Sequence, residues 1–410
     1  MARKTLDPKL AQEALDLVAL HGSNAKAAAA IGIAPSTIHQ RAATGRQLKL
    51  KPNPAAIANG TDGVLTLKSR VKRLEAELKA SQQAETQTGI IKSVIGALSN
   101  KVNELDPPQW LITPNTRPSA PGVPTLFLSD LHWGEVVYPS QVNNVNEYNL
   151  KIARKRMTTL VDSAIHLLEI ISPKMNYPGI VVPLGGDMIS GDIHEELTAT
   201  NELPSLPTLL DLYEVMVGVI TSLADKFGAV FLPTCTGNHG RNTKKIWAKD
   251  RHATSFDWLL YQFLAKHFAA DKRITFLTPD GPATHFKIYG HRYRLSHGDR
   301  LGRGGDGIIG ALGPIIRGDH RTRARDAQID LAYDTQIIGH FHQLTMMTRV
   351  IVNGCLKGMD EYSYTEGYPF EPPQQALWLT HPRYGITYRM PVFVDRERPA
   401  FKTEWVSIPK

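Results

Sequence analysis

One pattern constrains this chain more than any other: short, β-rich apolar runs that each stop abruptly on residues able to hold a metal. "AVFLPT" at 229 to 234 is followed by Gly237, Asn238 and His239. "TLFL" leads into Asp130 and His132 within "FLSDLHWGE", and "GIVVPL" into Asp187 within "VPLGGDMISGD". "YRLS" is followed by His297, and "TQIIG" by His340 and His342. A single ending of this kind is an ordinary loop. Repetition at the same point of successive strands is different, because α/β folds gather their ligands at the carboxyl ends of strands. Asp-x-His and His-x-His add a geometric expectation, since residues i and i+2 of an extended segment point to one side.

Between these runs, "YNLKIARKRMTTLVDSAIHLLEII" and "LPTLLDLYEVMVGVITSLADKF" carry a helical period. From Thr125 onward the expected class is therefore α/β with layered sheets. At 410 residues, one large core with a smaller appendage is the natural organisation. The two cysteines, Cys235 and Cys355, form no Cys-x-x-Cys pair, which disfavours disulfide scaffolds and zinc ribbons and fits a reducing cytoplasm. No leader with an apolar core opens the chain, and no run approaches the ~18 apolar residues of a membrane span, so neither secretion nor a membrane partner is expected.

Positive charge is concentrated at the front. Residues 1 to 120 hold 16 Lys and Arg against 9 Asp and Glu, whereas the remaining 290 residues hold 31 against 30. Such a local excess suits a polyanion such as DNA. Residues 9 to 45 read as three short helices, with Gly22 closing the first, Gly32 supplying a turn and Ser36 placed to cap the third. "AAAAIGIAPSTIHQR" resembles the Fis-like and resolvase-like helix-turn-helix families. The resemblance implies that Ser36, Thr37, His39, Gln40 and Arg41 face DNA, with Arg46, Lys49 and Lys51 near phosphates; a small helical module that packs on a protein is the alternative. A Pro, Asn and Gly-containing linker follows. Val64, Leu67, Val71, Leu74 and Leu78 then form a short heptad seam, so residues 64–99 could pair two chains or lie on the catalytic unit. The expected domains are 1–51 (helix-turn-helix), 52–123 (linker with a coiled-coil-like helix) and 124–410 (catalytic).

Carboxylate, carboxamide and imidazole donors together suit a pair of first-row divalent cations, manganese foremost and iron or zinc as alternatives, better than magnesium. Such a pair could share a carboxylate and hold a bridging hydroxide as nucleophile. In this order, the blocks Asp-x-His, Gly-Asp, Gly-Asn-His, His and Gly-x-His resemble the calcineurin-like metallophosphoesterase superfamily over residues 125 to about 355. That resemblance implies an α-β-β-α sandwich. It also implies that Asp130, His132, Asp187 and His342 hold one metal and Asp187, Asn238, His297 and His340 the other, with Asp187 bridging. His239 would stabilise developing charge or protonate the leaving oxygen. Where many relatives place an acid after that His, this chain has Gly240 and Arg241, and Arg241 is a candidate contact for the substrate phosphate. "SGDIHEELTATNE", with Asp192, His194 and Glu195 as further cleft candidates, "VNEYNL" and "VNGCLKGMDEY" look like the phage and prophage branch. The glycine- and arginine-rich stretch 299–325 reads as a rim able to track a phosphate backbone.

The leading expectation is thus a metal-dependent phosphoesterase acting on DNA phosphodiesters. A phosphomonoesterase with an N-terminal protein-interaction module and a non-enzymatic, phage-related DNA-binding protein are the alternatives.

Overall fold

The computed structural model describes residues 7–53, 107–113, 121–301 and 312–395. The heptad seam and most of its flanking linker lie outside these residues, as does the glycine-rich core of the 299–325 stretch. The chain forms two compact units, which are taken separately.

In the N-terminal unit, α1 (Pro8–His21), α2 (Asn24–Ile31) and α3 (Pro35–Gln47) follow one another through tight turns. Gly22 and Gly32 end the first two helices in the left-handed conformation, at φ 77° and 69°, where a Cβ is penalised. Ser23 caps α2 by accepting from the Lys26 amide. Ser36 does not cap α3. Pro35 takes the first helical position, so Ala34 becomes the residue before the helix and contributes no side-chain bond. The core is built of small residues, with Ala11, Ala14, Ala27, Ala28 and Ala42 buried beside Leu15, Leu17, Ile31 and Ile38. A Cβ on Gly45 of α3 would fall 2.6 Å from Leu15 Cδ1 and 2.8 Å from the Ala11 carbonyl, so α1 and α3 cross at close range.

The second unit contains two sheets. Strands β1 (Val123–Leu126), β2 (Ile180–Val181), β3 (Val230–Pro233) and β4 (Ile274–Leu277) run parallel and adjacent. The antiparallel pair β10 (Gln374–His381) and β11 (Gly385–Phe393) adds to the β1 edge. The other sheet has the order β5-β6-β7-β9-β8, from β5 (Thr284–Ile288), β6 (His291–Leu295), β7 (Thr335–Ile338), β8 (Thr345–Met346) and β9 (Val350–Val352). Their inner faces share one apolar layer that joins Phe127, Phe231 and Trp378 of the first sheet to Phe286, Tyr293 and Ile337 of the second. Helices cover the outer faces: Leu150–Ile171 packs on β10 and β11, Ser205–Phe227 on β3, and Leu312–Ala327 brings Ile315 against Ile338, Val350 and Val352. The result is an α-β-β-α sandwich.

By length and composition, Ser205–Phe227 could cross a membrane. Here its apolar residues Leu209, Leu212, Met216, Ile220 and Leu223 are instead buried in the core. Trp378, fully buried, stands edge-on to Phe127 at 6.5 Å and donates its indole N–H to the Tyr293 hydroxyl across the sheets. Trp378→Ala is expected to cost about 3–5 kcal/mol, read from the midpoint of denaturant unfolding. A cost below about 1 kcal/mol would contradict this picture of the layer.

Candidate metal centre

Parallel order sends the loops after β1, β2, β3, β6 and β7 to one edge of the sandwich. These loops carry Asp130 and His132, Asp187, Asn238 and His239, His297, and His340 and His342, respectively. Three overlapping sets of donor atoms result, each within 4.8 Å of one another: Asp130, His132 and His342; Asp187, His297 and His340; and His132, Asp187 and His239. Asn238 joins the second set through its Oδ1, 3.1 Å from His297 Nε2. The His340 and His342 pair straddles two sets. In Asp-x-His and His-x-His, the geometry is not the extended one expected from spacing. Asp130, His132, His340 and His342 all have left-handed backbones (φ 53°, 47°, 71° and 55°), as does Asp187 at 51°. Each such residue costs on the order of 1 kcal/mol or more, a burden typical of sites where geometry serves function. Asp and His tolerate this region better than branched residues.

Glycines clear space for the carboxylates. A Cβ on Gly237 would lie 2.1 Å from Asp187 Oδ1, and one on Gly339 2.1 Å from Asp130 Oδ2. Backbone amides complete the two cradles: His239 N donates to Asp187 Oδ1 at 2.6 Å, and His340 N to Asp130 Oδ1 at 2.8 Å.

The donor set fits a cation. His297 Nδ1 lies 2.9 Å from the Gly185 carbonyl, which can only accept, so the proton sits on Nδ1. Its Nε2 then faces two more oxygens, Asp187 Oδ2 at 2.9 Å and Asn238 Oδ1 at 3.1 Å. In a neutral ring that is lone pair against lone pair, which either a second proton or a metal ion relieves. Burial opposes the second proton, but the negative charges of Asp187 and Asp130 still raise the His297 pKa to about 10. His132 presents the carboxylate–histidine pattern typical of metal ligands: Nδ1 is 3.3 Å from Glu135 Oε2, while Nε2 meets His342 Nε2 at 3.0 Å.

His239 has Nδ1 3.0 Å from the Ser190 carbonyl, which fixes its tautomer without the acid that follows this His in many members of the family it resembles. The reason Gly240 stands in that place is steric: a Cβ there would meet Asp257 Oδ1 at 2.7 Å. Asp257, absent from the sequence reading, is fully buried and accepts from the amides of Asp187, Met188 and Gly237. Burial and the neighbouring Asp187 lift its pKa to about 6. No local motif marks it, since it reads as a first-turn acid of the Phe256–His267 helix.

Arg241 donates through Nη1 to the Asn238 carbonyl at 2.7 Å and through Nε to that of Thr243 at 3.1 Å, bracing its own loop. His194 is exposed, with its ring 6.1 Å from that of His239. Asp192 accepts from Ser205 Oγ. Glu195 lies on the exposed first turn of Glu195–Thr200.

Behind His132 lies a buried ionic group that spacing alone could have suggested only in part. Lys357 Nζ donates to Glu135 Oε1 at 2.8 Å and also to Asp360. Asn146 and Arg156 tie the same segment down through the carbonyls of Leu356, Lys357 and Met359. "VNEYNL" and "VNGCLKGMDEY" therefore meet in space.

No family model and no curated protein matches the chain. Among solved structures, it is similar to a conserved Streptococcus pneumoniae TIGR4 protein described as a predicted phosphoesterase (10% identity, 62% of this chain and 82% of that one, TM-score 0.24). It is also similar to a Vps29 single mutant from Entamoeba histolytica (13% identity, 66% and 99%, TM-score 0.27). A dimetal phosphatase from Danio rerio gives 10% identity, 67% and 100%, and a TM-score of 0.31. At scores this low a likeness assigns no chemistry, and the side chains must supply it.

The Glu135 and Lys357 pair makes stability depend on acid. Burial works against the Glu135 carboxylate, but Lys357 and His132 together outweigh it and hold the pKa at about 2. A depressed carboxylate stabilises the fold above its unfolded value of about 4.5, and that contribution fades as pH falls toward 2. It amounts to about 3 kcal/mol. Lys357→Met, which strands two buried carboxylates, should cost about 3–5 kcal/mol at pH 7 and flatten the acid slope between about pH 5 and 2. Denaturant unfolding across that range checks both, and a wild-type slope in the variant would contradict the pairing.

Proposed function

We propose that this chain is a binuclear metal-dependent phosphoesterase of the calcineurin-like superfamily that hydrolyses phosphodiester bonds in DNA. The observation that carries the reading is the trio of overlapping donor sets, with His132 and Asp187 each shared by two. Imidazole-rich donors favour manganese, iron or zinc over magnesium, and manganese is our first assignment. When bound, two such cations supply Lewis acidity toward phosphoryl oxygens and lower the pKa of water.

The chain's own groups do the rest. Asp130 and Asp187, each buried and cradled by backbone amides, hold fixed negative charge where the cations are needed. Glu135 sets a carboxylate 3.3 Å from His132 Nδ1, a charge that favours a proton there and leaves Nε2 toward the centre. His239 carries its proton on Nδ1, bonded to Ser190, so Nε2 is the atom able to exchange a proton with a leaving oxygen. Burial lowers its pKa to about 3, so the free protein holds this ring neutral at pH 7. The negative charge of a bound phosphate offsets that effect, which makes the acid role of His239 dependent on substrate.

The DNA assignment draws on the N-terminal unit. Ser36, His39, Gln40 and Arg46 are exposed on or near one side of α3, with Thr37 and Arg41 half-buried beside them. A helix of this kind after a tight turn suits major-groove entry, and the front-loaded charge suits phosphate contact.

With manganese added, the purified protein should hydrolyse bis-p-nitrophenyl phosphate and linear DNA. Turnover of p-nitrophenyl phosphate alone would replace the nuclease reading with the phosphomonoesterase one. His239→Ala is expected to keep its metal content, by elemental analysis, while turnover of the diester falls by roughly 10² to 10⁴. Metal lost in step with activity would make His239 a ligand instead.

A further inference from the structure

We infer that the loop 241–251 forms a subsite for single-stranded nucleic acid, in which Trp247 stacks on an unpaired base and Lys244, Lys245 and Lys249 take the flanking phosphates. This rests on the phosphodiesterase reading above and narrows its substrate class. It does not depend on the N-terminal unit.

The loop leaves and returns at the metal centre. At its start, Arg241 bonds the Asn238 carbonyl. At its end, Arg251 donates to the carbonyls of Gly237 at 2.8 Å and Thr236 at 3.3 Å, while its fork pairs with the half-buried Asp299. Asn242 N donates to the Thr254 carbonyl, closing the base of the loop. Both ends are thus fastened to the backbone that presents Asn238 and His239. Trp247 stands four residues from Arg251, so their Cα atoms are at most about 14 Å apart, a span that a few nucleotides can bridge.

What the loop displays is unusual for a mere connector. Trp247 is 45% exposed. An indole left this open forgoes apolar burial that a core position would supply. Lys244, Lys245 and Lys249 are exposed around it, and Asp250 is the one acid in the segment. A cationic strip with an interleaved aromatic matches the way unpaired strands are held, since every base offers a π-face and the backbone supplies charge. Duplex DNA keeps its bases stacked and offers the indole no face. An anionic membrane surface would call for a broader apolar face than one tryptophan, and the neighbouring Ile246 is half-buried.

The test measures binding by the full-length protein of a fluorescein-labelled oligothymidylate, by anisotropy, in chelator so that no hydrolysis occurs. Trp247→Ala should raise Kd roughly 5- to 150-fold, and Trp247→Phe should recover much of the loss. Replacing Lys244, Lys245 and Lys249 with Gln should lower the slope of log K against log salt by about 2. An oligothymidylate Kd unchanged in Trp247→Ala would overturn the proposal. So would a defect seen on anionic vesicles or duplex but not on the single strand. If Trp247→Ala unfolds, judged by its melting curve, the lysine variant decides alone, and a salt slope unchanged from wild type would overturn the proposal. Because binding is read without turnover, an inactive enzyme would sink the phosphoesterase reading while leaving this result free to come out either way.

Discussion

The structure is organised around an electrostatic constraint: two buried carboxylates converge with imidazole nitrogens, so positive charge, from a proton or a metal ion, is needed among them. His297 shows it most plainly, with one nitrogen committed to the Gly185 carbonyl and the other aimed at Asp187 and Asn238. Buried charge of one sign is costly unless countered. The fold holds it in place through left-handed backbone at Asp130, His132, Asp187, His340 and His342, and through glycines beside both carboxylates. A positively charged occupant would meet that need without moving the scaffold, which supports the proposed metal centre.

Support for the first ring of donors comes from groups that never appear as a motif. Asp257 gathers three amides from the loops after β2 and β3, locking those two loops to each other. Lys357 does comparable work on the opposite side, joining Glu135 to Asp360 and thereby steadying His132. Ser129 bonds the Asp130 carboxylate, and Asn353 bonds Ser129 in turn. A ligand set assembled from distant segments needs such cross-links, because each loop alone would relax.

Much of this was legible in the residues. The long amphipathic helices and the apolar strands announced themselves by period, and the polar ends of those strands announced the donors. The weak, mixed strands did not. β5 and β11 lack a run that separates them from loops, and pairing with β6 and β10 in their own sheets defines them. Ser36 failed as a cap because Pro35 took precedence at the helix start, a local rule that the sequence already contained. Gly240 looked like a missing acid, whereas it is the space that Asp257 requires.

The sequence by itself determined which side chains were available as donors and in what order they occur along the chain, because strand ends and turn residues are local properties. Tertiary structure alone decided that His340 and His342 serve different donor sets, that Asp257 and Lys357 belong to the centre, and that the Trp247 loop is fastened beside it. Those facts depend on which loops the two sheets bring to a common edge. That is a matter of long-range strand pairing and packing, for which short-range spacing carries no signal.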